Sequence, residues 1–428
     1  MALARGRRVV TGLVSLEIPG DKSISHRALM LAALADGTSA VRGILLSADV
    51  QSTAAALRAL GVEIGELTGK MRVQGRGLRG FRAPARDLDC GNSGTTTRLL
   101  TGIVSAMPFA SRFVGDDSLS HRPMHRISDP LGRMGARFEF ERGDGLPMRV
   151  LGGDLASIDW QSSTASAQVK SAILLAALVA GVPASVSEPA RSRDHTERML
   201  RAMGVSIDVA GGVVRLSATS NLTPLDVDIP GDPSSAAFPL ALAALGDGAG
   251  VEMRRVCLNE TRAGFVRAMR AMGARIEILD RREESGEPVG TLRAFPSRLR
   301  GIAVSGDVVP SMIDELPLLA CVASRAEGVT EIAGASELRV KESDRIAAVV
   351  ANLRAIGVDA DERPDGLVVR GGDEPLRGSV ITYGDHRVAM AFGILAALPG
   401  NEIAIDDRAC VAVSYPGFWT DIDRMSSE

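Results

Sequence analysis

The stretch IPGDKSISHR, residues 18–27, returns in part at 229–232 as a second IPGD. Its Lys-Ser pair invites comparison with a phosphate-binding P-loop, which needs a glycine directly before the lysine and another upstream. Here Asp21 separates Gly20 from Lys22, and Ser15 stands where the upstream glycine belongs. The P-loop reading fails, so the doubled Pro-Gly bend needs another explanation. The two copies split the chain into a continuous piece, 21–232, and a discontinuous one, 1–20 plus 233–428. That is the pattern of two strands crossing between domains at one hinge, near 18–21 and 229–232. The competing reading is a chance recurrence of four turn residues. Length favours the hinge, because 428 residues exceed what one hydrophobic core usually serves.

A second regularity runs through both pieces. ALRALGVEI (56–64), PLGRMGARFEF (130–140), RMLRAMGVSIDV (198–209), VRAMRAMGARIEIL (266–279) and VVANLRAIGVDADE (349–362) share one grammar. Helical apolar spacing runs up to a glycine, and an alternating strand follows. Gly61, Gly135, Gly204, Gly273 and Gly357 recur at intervals of 69 to 84 residues. Such spacing predicts six α/β units, one of them degenerate, too long and too mixed for a solenoid.

Composition excludes several classes of function. Two Trp, two Tyr and a net charge of −3 do not make a nucleic-acid surface. The four cysteines are far apart and the five histidines lack an accompanying carboxylate cluster, so neither a disulfide frame nor a metal site is expected. The apolar runs at 171–182 and 389–398 fall short of the roughly 20 residues that span a bilayer and read as buried helices. MALARGRRVVTG at the start lacks the apolar core of a signal peptide, so the expected location is cytoplasmic. No Gly-x-Ser-x-Gly elbow or Ser-His-Asp arrangement points to covalent catalysis.

What does stand out is cations set beside small polar residues. Lys22, Ser23 and Arg27 come from the first motif, CGNSGTTTR (90–98) offers backbone N–H groups before a helix, and Arg122 follows in SLSHRPMHR. Ser166 and Gln168 lie in TASAQVKS, Arg193 in RSRDHTER, Asp314 in DELP, Lys341, Glu342 and Arg345 in RVKESDR, and Arg387 in YGDHR. Seven cations drawn from both sides of the hinge suit a cleft that closes on two multiply charged small molecules.

At these residues the sequence resembles the enolpyruvyl transferase family, in its class II-like branch that acts on shikimate 3-phosphate. GDKSISHR, GNSGTTTR, RPM, SAQVKS, RDHTE, NETR, DELP, RVKESDR and DHR stand in the family's order and cover nearly the whole chain. The resemblance implies an α/β (α+β) fold of two domains, each an inside-out barrel of three βαβαββ units, joined by a two-stranded hinge. It implies a monomer without cofactor that moves the enolpyruvyl group of phosphoenolpyruvate to the 5-hydroxyl of shikimate 3-phosphate, with glyphosate as an inhibitor.

It also implies roles. Asp314 and Glu342 would be the base and acid that such an addition and elimination requires, with Lys22 assisting. Lys22, Ser23, Arg27, Ser166, Ala167, Gln168, Arg193, Asp314 and Lys341 would hold shikimate 3-phosphate. Lys22, Asn92, Gly94, Thr95, Arg122, Gln168, Arg345 and Arg387 would hold phosphoenolpyruvate. Two positions depart from the family's common pattern: Val413, where many relatives carry Lys, and Glu337, where many carry Asn. Two rivals remain. A sister enzyme with UDP-N-acetylglucosamine as acceptor uses a loop Cys or Asp, and Asp116 and Asp117 lie in the corresponding loop. A binding protein without catalysis would keep the cations but has no use for two carboxylates among phosphates.

Overall fold

The structure, a computed structural model, describes residues 12–427. The N-terminal stretch through Thr11, expected to carry no signal peptide, lies outside the described residues. Six small sheets carry the repeat. In the clearest unit, Leu88–Asp89 runs parallel to Ala110–Val114, which pairs antiparallel with Met148–Leu151 and, through it, with Arg137–Phe140. The same order recurs around Ala184–Ser187, Gly250–Cys257 and Val329–Ile332. The sixth unit is the degenerate one, reduced to Arg377–Val380 parallel to Glu402–Ile405.

The five repeat glycines, Gly61, Gly135, Gly204, Gly273 and Gly357, all end helices at φ between +86° and +120°, a region closed to most side chains. One expected strand is missing. Val62 and Ile64 are buried and Glu63 exposed, yet 62–64 pairs with no strand; Arg58 Nε donates to the Ile64 carbonyl at 2.7 Å, a contact that Arg354 repeats on Ala360 where the strand does form.

Two hydrophobic cores form. One gathers residues from Ile24 to Ile229; the other joins Val14, Leu16 and Ile18 to residues from Ala236 to Ile422. In the first, helices Lys22–Leu34, Gly94–Ser105 and Ala167–Ala180 are buried almost all round. The strands around them alternate buried and exposed residues, so helices lie inside and sheets outside. Pro233–Leu245, Leu316–Ala323 and His386–Ala396 repeat this in the second core. The apolar runs at 171–182 and 389–398 fall in these buried helices, and among the described residues no helix is long and apolar enough to cross a membrane.

The two IPGD segments meet. Gly20 and Gly231 form an antiparallel bridge, Asp21 N donates to the Pro230 carbonyl and Asp232 N to the Pro19 carbonyl, each at 2.8 Å. A Cβ on Gly20 would sit 1.9 Å from the Gly43 carbonyl oxygen, so only glycine fits there. Each aspartate then caps a helix: Asp21 Oδ1 accepts from Ile24 N and Asp232 Oδ1 from Ser234 N, both at 2.8 Å. The strand before each crossing stays with its own core. Leu13–Leu16 pairs with Gly250–Cys257 of the second core, and Asp226–Asp228 with Thr38–Arg42 of the first.

Candidate active site

A cavity of about 330 Å³ lies where the starts of five of these helices converge with that of the helix Arg345–Ala355. Lys22, Gly94 and Ala167 bring three N-termini to it from the first core; Asp232, Arg345 and His386 bring three from the second. Helix N-termini favour anions through their free N–H groups and dipoles. The side chains add to that field, since nine Lys or Arg residues line the cavity against five carboxylates. An excess of four positive charges suits polyanionic ligands.

Of the residues singled out from the sequence, Lys22, Ser23, Gly94, Thr95, Arg122, Ser166, Ala167, Gln168, Arg193, Asp314, Lys341, Glu342, Arg345 and Arg387 all line this cavity. Arg27 and Asn92 stand behind the lining. Arg27 is buried, with Nε on Thr196 Oγ1 at 2.7 Å, Nη2 on Ser171 Oγ at 2.8 Å and Nη1 on the Ser23 carbonyl at 2.9 Å; burial pushes its pKa down to about 10. Asn92 orients Arg122, accepting from its Nη2 at 2.7 Å while donating to Asp116 at 2.7 Å.

Asp314 and Glu342 share one guanidinium. Arg345 Nη2 lies 2.7 Å from Glu342 and Nη1 3.4 Å from Asp314, while Nε and Nη2 grip Asp385 at 2.8 and 3.2 Å. Burial pushes both carboxyls upward, but the surrounding cations win. Arg193 foremost, then Lys341, Arg387 and Arg345, hold Asp314 well below its ordinary value. Arg345 and Arg122 do the same for Glu342, helped by Lys22. Burial and the charge of Lys22 keep His386 well below an ordinary imidazole, hence neutral. Arg387 is different: among the described residues its guanidinium makes no hydrogen bond, and its nearest carboxylate, Glu315, is 3.9 Å away. Its donors are open to a ligand.

Several lining residues were not singled out. Arg98, Arg262 and His386 sit inside the motif strings GNSGTTTR, NETR and DHR, so the signal was present. Arg98 supports Gln168 Oε1 at 2.5 Å, and Gln168 Nε2 donates to Thr95 at 3.0 Å. Asp49, which pairs with Lys22 Nζ at 2.9 Å, carries no motif. Of the two departures, Glu337 lines the cavity and forms an ion pair with Arg126. Val413 does not line it and is half-buried in the turn Ala409–Val413. Asp116 and Asp117 also lie outside the lining. Asp116 Oδ1 caps Leu119 N at 2.8 Å and Asp117 is exposed.

Comparison with known proteins bears on the chain as a whole. The family described as EPSP synthase (3-phosphoshikimate 1-carboxyvinyltransferase) matches residues 5–422. A 3-phosphoshikimate 1-carboxyvinyltransferase of Xylella fastidiosa (strain Temecula1 / ATCC 700964) is 50% identical over 95% of this chain and 89% of its own. Another, from Sulfurihydrogenibium sp. (strain YO3AOP1), is 46% identical over 96% and 97%. The solved EPSP synthase of Acinetobacter baumannii superposes with a TM-score of 0.82 at 40% identity, covering 97% of each chain. The enolpyruvyl transferase NikO of Streptomyces tendae shares the fold, with a TM-score of 0.75 at 19% identity over 98% of this chain and 96% of its own. The chain belongs to the EPSP synthase (3-phosphoshikimate 1-carboxyvinyltransferase) family.

Proposed function

We propose that this protein transfers the enolpyruvyl group of phosphoenolpyruvate to the 5-hydroxyl of shikimate 3-phosphate and releases phosphate. The observation that carries the reading is the pair of ionised carboxylates, Asp314 and Glu342, bridged by Arg345 inside a strongly cationic cavity. Asp314 takes the hydroxyl proton as the oxygen attacks C2 of phosphoenolpyruvate, and Glu342 delivers a proton to the methylene carbon. In the resulting adduct the C2–O bond to phosphate breaks, the methyl group returns its proton to Glu342, and the proton held by Asp314 passes to the departing phosphate, which Lys22 supports. Glu342 must be protonated to begin. Two anionic substrates offset the cations that now hold it ionised, so their binding raises its pKa and arms the acid.

Shikimate 3-phosphate is assigned to Ser23, Ser166, Ala167, Gln168, Arg193 and Lys341, with Arg27 supporting Ser23 from behind. Phosphoenolpyruvate is assigned to Gly94, Thr95, Arg122, Arg345 and Arg387, with Asn92 orienting Arg122. The reading carries with it two bodies, 21–232 and 1–20 plus 233–428, hinged at 18–21 and 229–232. It also carries a monomeric cytoplasmic enzyme with glyphosate competing for the phosphoenolpyruvate subsite. Phosphate release, assayed with each acceptor, tests it. Turnover is expected with shikimate 3-phosphate, and turnover only with UDP-N-acetylglucosamine would overturn the assignment.

A further inference from the structure

Behind the wall that Ser166 and Ser192 present to the cavity lies a group of buried charges that the reaction leaves unused. Lys170 sits one turn below Ser166, with Nζ 2.9 Å from Glu188 Oε2 and 2.9 Å from Glu197 Oε1; all three side chains are at most 5% exposed. Arg27 lies alongside, joined to Ser171 and Thr196. Two cations and two carboxylates thus share a dry interior. Burying such a group costs desolvation that mutual attraction repays poorly, so stability alone does not account for it.

Glu188 supplies a reason. Its Oε1 accepts from the Ser166 backbone N–H at 2.9 Å, and its Oε2 accepts from Ser192 Oγ at 2.8 Å as well as from Lys170. One carboxylate therefore joins the start of the helix Ala167–Ala180 to the loop before the helix His195–Ala202. Those two segments bring Ser166, Ala167, Gln168, Ser192 and Arg193 to the cavity.

We propose that Glu188, held in place by Lys170, is a positioning residue for the acceptor, fixing the two segments that form the shikimate 3-phosphate subsite. The proposal rests on the reading of function given above. Burial pushes Lys170 downward, but Glu197 and Glu188 keep it above the ordinary lysine value, so the clamp persists through neutral pH. Segments tied from behind present preformed donors, and less ordering then opposes binding.

Glu188→Gln tests this with little change of shape. An amide has one acceptor, so whichever way it turns its NH2 faces the Ser166 N–H or the Lys170 ammonium. The expected result is a rise of about tenfold or more in KM for shikimate 3-phosphate. The KM for phosphoenolpyruvate at saturating acceptor, and kcat, should stay within about threefold. Should that variant not fold, Ser192→Ala removes one arm of the clamp without touching a charge and should raise the same KM. A lowered Tm with every kinetic constant unchanged would mark the clamp as structural only and overturn the proposal. A wild-type enzyme inert toward shikimate 3-phosphate would overturn the underlying function as well, and so separates the two failures.

Discussion

Arg126 and Glu337 meet fork to fork across the mouth of the cavity, with Nη1 on Oε2 at 3.0 Å and Nη2 on Oε1 at 3.1 Å. They belong to different cores, and the pair is the outermost of three contacts on one stretch. Ser118 Oγ donates to the Glu342 carbonyl at 3.1 Å and Arg122 lies 3.5 Å from its carboxylate. Ser118 lies in the short helix Asp117–Ser120, Arg122 in the turn after it and Arg126 in the helix His125–Met134, and together they grip the segment that carries Glu337, Lys341 and Glu342.

A double-mutant cycle on that pair follows. Arg126→Gln and Glu337→Gln should each lower kcat/KM, and the double variant should lose no more than the worse single one. A partly exposed pair contributes about 1 kcal/mol at most, so each loss should be about fivefold or less and should shrink at high salt. Strictly additive losses would mean that the two residues act separately.

Glu342→Gln keeps the shape of the site but cannot shuttle a proton. Shikimate 3-phosphate should bind with affinity close to wild type in a calorimetric titration, while kcat falls by roughly 10²- to 10⁴-fold. Unchanged turnover would remove Glu342 from the mechanism.

Acid should weaken the fold in two stages. His26 and His386 are held well below the ordinary histidine value of 6.5, chiefly by burial. Protons therefore go preferentially to the unfolded chain below that pH, and stability is lost as pH falls through it. Each histidine adds a slope of up to about 1.4 kcal/mol per pH unit. Asp314 and Glu342 are also depressed, so their contribution is present above the ordinary carboxylate range and is lost as pH falls below it. Glu315 works the other way, because burial raises its carboxyl. Urea unfolding at pH 7.5, 6 and 5 measures the first stage, and a flat profile would contradict it.

Two glycines should respond oppositely to alanine. At Gly94 a Cβ would lie 3.4 Å from Arg122 Nη1 and 3.5 Å from Arg98 Nη1, ends of flexible side chains. Gly94→Ala should fold and raise KM for phosphoenolpyruvate. At Gly20 the obstacle is backbone, and Gly20→Ala should cost several kcal/mol, on the order of the largest single-site effects. Equal Tm values for the two variants would refute the contrast.

The architecture was legible because its signals are local. A glycine that must end a helix, such as Gly204, or an aspartate that caps one, such as Asp232, announces itself within a few residues. Most of the cavity was legible for a related reason: Lys22, Gly94, Gln168, Arg345 and Arg387 stand at helix starts in short, dense motifs. What stayed hidden depends on distance in the chain. Nothing near Asp49 foretells Lys22, nothing near Glu337 foretells Arg126, and Glu188 lies in a plain strand-to-loop stretch. The strand expected at 62–64 has the right alternation but no partner strand beside it.

The long reach in sequence of the pairings made by Leu13–Leu16 and Asp226–Asp228 has a consequence for synthesis. A ribosome releases the first of these strands long before Gly250–Cys257, its partner, exists. The sheet around Thr38–Arg42 likewise stays open at one edge until Asp226–Asp228 emerges. The nascent chain therefore carries an orphan strand and an unfinished sheet edge together, each an invitation to aggregate. Both are resolved as the second IPGD leaves the ribosome and the following strand appears.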